Sequence, residues 1–131
     1  MKKLTLQIKK ENFDTILSGE QKVEHRYAYS TNFSTYVRYK HDGKLYKKYS
    51  EIPEDDKPVV VEPVHYDVLY LINGRRKDAP RLTVEITDIE CDIAIDENGD
   101  PFYEEYKGET YEIVNMQYHL GKVLSTENIE K

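Results

Sequence analysis

At 131 residues the chain is sized for one domain that buries a core without disulfides or metals. It is 38% hydrophobic and 34% charged and has no apolar run near the roughly 20 residues of a membrane helix, so it offers no membrane-spanning helix. No secretory leader opens the sequence, which predicts a cytoplasmic protein. The single Cys91 excludes an internal disulfide and a thiolate zinc cluster. The net charge of −6 is uneven: residues 1–50 carry 11 Lys/Arg against 5 Asp/Glu, and residues 51–131 carry 8 against 20. A basic face toward a polyanion is compatible with that asymmetry, and so are charges that interleave once folded.

Leu4, Leu6 and Ile8 alternate with polar residues and predict a half-buried strand. Phe13, Ile16 and Leu17 then fall at the spacing of one helical face. Glu11 and Asp14 suit the start of that helix, and Gly19 suits the position just past its end. A second strand is predicted from Gln21 to about Tyr29. Successive strand residues point to opposite faces, which places Lys22, Glu24 and Arg26 on one face, spaced about 6.5 Å apart.

Between residues 36 and 49 tyrosines and cations interleave around Asp42-Gly43, a dipeptide suited to a two-residue hairpin turn. Residues 51–63 follow, with prolines and acids, and read as a loop. The run from Tyr66 to Ile72 is apolar nearly throughout, as in a strand buried on both faces. Asn73-Gly74 opens a basic turn, Arg75-Arg76-Lys77, closed by Pro80. Leu82, Val84 and Ile86 alternate in the next strand, and a phase slip before Ile89 predicts a bulge. A turn around Asn98-Gly99 leads toward a last strand in which Val114, Met116, Tyr118 and Leu120 alternate. Five or six mostly antiparallel strands with one or two short helices predict a small α+β domain, a closed or partly open barrel.

The order of strand, helix ending Ile16-Leu17-Ser18-Gly19, and strand with Glu24 and Arg26 resembles the ASCH domains, a branch of the PUA-like β-barrel superfamily. Their motif runs glycine, any residue, lysine, often threonine, any residue, glutamate, any residue, arginine. Gly19, Glu24 and Arg26 stand at that spacing. Tyr70-Leu71-Ile72-Asn73-Gly74 and Tyr118-His119-Leu120-Gly121-Lys122 also look similar to the family's later pieces. The resemblance implies one PUA-like domain over residues 1–131, with residues 33–63 as a hairpin and loop elaboration. It also implies a ligand cleft beside the strand after the first helix. One departure matters. The family lysine falls on Gln21, and lysine appears one place later as Lys22. The acetylcytidine amidohydrolase type in this superfamily pairs that lysine with a threonine at the position of Glu24. A one-residue shift on a strand turns a side chain to the other face, so Lys22 is no direct substitute.

A carboxylate between two cations is held in its ionised form, which suits ligand binding better than proton donation. Arg26 or Lys22 could hold phosphate and Glu24 could accept from a base or ribose. The plain alternative is an exposed salt-bridge ladder worth little energy. Asn73, Arg75 and Arg76 of the basic turn, with Tyr118 and His119 of the last strand, complete the candidate ligand-binding set. In the hairpin, Arg38, Tyr39, Lys40, Lys44, Tyr46 and Lys47 are candidates for gripping single-stranded nucleic acid by stacking and charge. Tyrosine's fit to strands and lysine's protection of an exposed hairpin explain the same residues structurally. The histidines His25, His41, His65 and His119 lack metal-ligand spacing, and no cofactor or metal is expected.

These residues predict a module that binds RNA or a nucleotide-like ligand, with a protein partner as a further possibility and no membrane association. The rival is an enzyme acting on modified nucleosides or RNA, with Lys22 and Glu24 as catalytic groups. A protein-interaction domain is the third alternative.

Overall fold

A computed structural model describes residues 1–129. The chain divides into two compact units, each assembled from separated segments. Unit 1 comprises residues 1–24, 65–89 and those from 118 onward; unit 2 comprises residues 25–64 and 90–117.

Unit 1 holds β1 (Lys3–Gln7), α1 (Lys10–Ser18), the start of β2 (Val23–Ala28) and β6 (Val68–Ile72). It also holds most of β7 (Arg81–Ile93) and the second half of β10 (Val114–Glu127). The sheet order is β1-β6-β7-β10-β2. β1 pairs parallel to β6, with Leu4 opposite Leu69 and Leu6 opposite Leu71, whereas β6 pairs antiparallel to β7. Leu4, Leu6 and Ile8 are buried as their alternation requires, and so are Phe13 and Ile16 of the apolar helix face. Central β6 is buried at Val68, Leu69 and Leu71, which explains its nearly unbroken apolar run.

The helix ends where glycine allows it. Gly19 takes φ +84°, a left-handed conformation that costs a side-chain-bearing residue about 1–2 kcal/mol, and its N–H donates to the Ile16 carbonyl. The turn after β6 is closed by Asn73. Its N–H donates to Pro80, its side chain to the Ile8 carbonyl, and the Gly74 N–H to Gln7 Oε1.

Unit 2 holds α2 (Phe33–Tyr36), β3 (Val37–His41), β4 (Lys44–Tyr46), a 3₁₀ turn at Tyr49–Glu51 and β5 (Val59–Pro63). It also holds β8 (Tyr103–Tyr106) and β9 (Glu109–Glu112). β4-β3-β5 form one antiparallel sheet and β8-β9 a second. The hairpin turns at Asp42 and Gly43, both at positive φ (+49° and +78°), as the dipeptide predicts. Its core side carries Val37, Tyr39 and His41, with Phe33 stacked on Tyr39 at 5.0 Å between ring centroids.

The small, β-rich α+β class stands, but the barrel does not: the described strands form three sheets of five, three and two strands, none closed. The reason is local pairing. Beyond the five-stranded sheet, the turns at Asp42-Gly43 and Lys107-Gly108 pair β3 with β4 and β8 with β9, and β5 adds to the other side of β3. Two further differences follow from the same pairing. The second half of the expected 51–63 loop is β5, zipped to β3 from His41↔Val59 to Val37↔Pro63. The β8-β9 ribbon lacks a favoured turn dipeptide, yet Lys107 and Gly108 both adopt positive φ. β7 runs unbroken through the expected phase slip, and its burial pattern reverses at the exposed pair Thr87-Asp88.

Candidate functional site

In unit 1 a cleft of about 550 Å³ opens where α1 ends. Its walls are the Ile16–Gly19 end of the helix, Gln21 and Lys22, Val84 and Glu85 of β7, and the Leu120–Val123 segment of β10. Three features of the sequence build it. Gly19 stops the helix and turns the chain back across the sheet. The Gln21 N–H then donates to the Thr15 carbonyl, and its amide oxygen accepts from the Thr15 hydroxyl at 2.8 Å. Its amide nitrogen donates to the Val23 carbonyl at 2.9 Å, so Gln21 fastens the helix end to the start of β2. The Leu120 N–H donates to the Lys22 carbonyl at 2.8 Å, laying the connecting segment along β10.

Gly121 gives the floor its depth. A side chain there would overlap the mobile Glu85 carboxylate and press on the Thr87 methyl, so the glycine lets Glu85 keep its present position. Lys22 Nζ lies 3.7 Å from where a Gly19 side chain would begin, folded back toward the carbonyl end of α1. That end of a helix is negative, which favours an ammonium. Among the described residues the side chains of Lys22, Glu85 and Lys122 form no hydrogen bond or ion pair within the chain. The cleft therefore presents two cations and one carboxylate whose hydrogen-bonding capacity is open to a ligand.

The expected trio does not act as one surface. Lys22 is exposed and precedes β2, Glu24 is buried at 4% exposure, and Arg26 is half-buried farther along the strand. An exposed ladder is thereby excluded, because Glu24 faces inward. Neither Glu24 nor Arg26 is without an interaction partner, and neither lines the cleft. Asn73 is spent on closing its turn, as described above. Arg75 and Arg76 are exposed, and Arg76 lies 3.7 Å from Asp78. Tyr118 is fully buried, and His119, half-buried beside it, accepts the Thr87 hydroxyl on its carbonyl. Of the candidates named from sequence, Lys22 alone lines the cleft. Sequence reasoning did not single out Gln21, Glu85 and Lys122 as site residues; the signal available was the glycine beside Lys122, which marks a close approach.

The hairpin candidates divide by face. Tyr39 is 1% exposed and belongs to the core, where burial foremost, then the Glu112 carboxylate, push its phenol up to about 12. Arg38 donates to the carbonyls of Ser34 and Val37. Lys40 lies 3.5 Å from Glu62 on the paired strand. Tyr46 is half-buried, edge-on to His41 at 6.5 Å. Of these six only Lys44 and Lys47 are exposed. Here the basic surface interleaves with acids. The loop after the 3₁₀ turn also folds onto the hairpin: buried His41 Nε2 lies 2.8 Å from Asp55 Oδ1, and Lys57 Nζ lies 3.0 Å from Asp42.

Comparisons of the chain with protein-family models, with curated proteins and with solved structures return no match.

Proposed function

We propose that the chain is a divergent ASCH-type, PUA-like module that binds RNA or a nucleotide-like ligand in the cleft at the end of α1. The observation that carries this reading is the placement of Lys22, Lys122 and Glu85, none paired among the described residues, around one cavity of about 550 Å³. That volume falls within the range of about 300–1,000 Å³ common for small-ligand sites. Lys22 and Lys122 are suited to a phosphate, and Glu85 to the amino group of a base or a ribose hydroxyl. The order strand, helix, Gly19, strand supports the family resemblance, while the open sheet and Gln21 mark the divergence.

Fluorescence anisotropy with short labelled RNAs and nucleotides at two salt concentrations tests it. Binding at low salt should weaken roughly tenfold in Lys22→Ala and again in Lys122→Ala, the loss of a charge-assisted hydrogen bond in each. No binding at low salt, or binding indifferent to both variants, overturns it.

A second reading is favoured by the same pair of partnerless groups: Lys22 and Glu85 in one cleft could serve as acid and base for an amide-cleaving enzyme on modified nucleosides. Turnover of an acylated nucleoside that Glu85→Gln abolishes while ligand binding persists distinguishes catalysis from binding.

A further inference from the structure

We propose that the outer face of the β8-β9 ribbon in unit 2 docks an extended, lysine- or arginine-rich segment of a partner protein. The ribbon is two-stranded, so β8 carries no strand on its other edge among the described residues. An open edge of that kind offers main-chain donors and acceptors to an added strand.

The two faces of the ribbon differ. Register places Tyr103 opposite Glu112 and Glu105 opposite Thr110 on one face, and Glu104 opposite Tyr111 on the other. The second face is occupied from within unit 2. Tyr111 is buried, with its ring 5.4 Å from Phe33, and the Glu104 carboxylate accepts both the N–H and the hydroxyl of Ser30. On the first face Tyr103 is 61% exposed and Glu105 and Thr110 are exposed beside it, while Glu112 is half-buried. Tyr103 beside the exposed Glu105 offers a partner both an open ring and a carboxylate.

Charge chooses the partner. Residues 90–117 contain nine Asp or Glu against one Lys. The single lysine already sits over a ring, Lys107 Nζ lying 5.3 Å from the Tyr106 centroid. Cations from a partner can take the same cation–π position over Tyr103 while pairing with the exposed Glu105. The same density of carboxylates repels a nucleic-acid backbone, so this face is independent of the cleft in unit 1.

The test is isothermal titration of the full chain with a short peptide alternating lysine and valine, at low and high salt. A control peptide alternates glutamate and valine. Binding of the basic peptide alone is expected, weakening with salt and falling roughly tenfold in Tyr103→Ala and in Glu105→Lys. The Lys22→Ala/Lys122→Ala double variant should bind the peptide as the unaltered chain does, which separates this face from the cleft. No binding of the basic peptide, equal binding of the acidic one, or insensitivity to both ribbon variants overturns the proposal. So does self-association in sedimentation that Tyr103→Ala abolishes, which would assign the face to a second copy. Both altered residues are exposed, and unchanged circular dichroism verifies that the variants fold.

Discussion

The amide of Leu120 donates to the carbonyl of Lys22 at 2.8 Å, and this bond sets the lysine alongside the Gly121-Lys122 step of β10. Two residues distant in sequence thereby bring both cations of the cleft to one wall. Everything proposed for unit 1 depends on that juxtaposition and on the glycine between them.

Gly121→Ala is expected to impair binding without removing a charged group. The added methyl overlaps the Glu85 carboxylate, so Glu85 must swing into the cleft or the strands must part. Because the clash falls on the mobile end of Glu85 and on the exposed Thr87, the cost should be about 1 kcal/mol, the low end for overpacking. Thermal unfolding should show that loss, and ligand affinity should fall because Glu85 leaves its place in the cleft; affinity equal to that of the unaltered chain would contradict a role for Glu85 at the ligand.

Gly19→Ala should destabilise by about 1–2 kcal/mol, because alanine resists the left-handed angle that ends α1. Chemical denaturation measures it. An unchanged midpoint would show that the helix can end elsewhere without strain.

Removing the tie between helix and strand should act on Lys22 at a distance. Thr15→Val deletes the hydroxyl that donates to Gln21, a net loss of about 1 kcal/mol. Ligand affinity should drop less than in Lys22→Ala, since the ammonium remains but its support loosens. An equal or larger drop would mean that Gln21 or Thr15 meets the ligand directly.

Unit 2 should respond to pH at both extremes. The His41 hydrogen bond, then the Lys57 N–H, hold the Asp55 carboxyl below its ordinary value. A depressed pKa contributes stability above the unfolded carboxylate value, lost as pH falls through the folded one. The protection factor of the Lys57 amide should fall on acidification, and Asp55→Asn should flatten that dependence. Tyr39, pushed up to about 12, keeps its proton longer folded than unfolded. Its contribution is complete below about 10 and is lost as pH rises through 12. Tyr39→Phe should shift the alkaline unfolding limb upward, read by circular dichroism.

The legible parts of this fold were those that a local rule decides. Alternation exposed β1 and β10, helical spacing plus Gly19 exposed α1, and Asp42-Gly43 exposed the hairpin. Pairing between distant segments was not legible. β5 looks like a proline-bounded loop until β3 zips to it, and β8-β9 hides behind acids and a Lys-Gly turn. The site followed the same division. Lys22 could be named because alternation sets it on one face of the strand with Glu24 and Arg26, although those two do not line the cleft. Glu85 and Lys122 could not, because only tertiary pairing brings them to it. Tyr39 was misleading because a tyrosine in an alternating strand reads the same whether its ring meets a base or Phe33.

The most direct measurement is an NMR titration of the isotope-labelled chain with a nucleoside monophosphate at low salt. Amide shifts should concentrate at Gly19, Lys22, Gly121 and Lys122 and disappear in the Lys22→Ala/Lys122→Ala variant. Shifts confined to the hairpin around Lys44 and Lys47, or no shifts at saturating nucleotide, would contradict a ligand cleft at the end of α1.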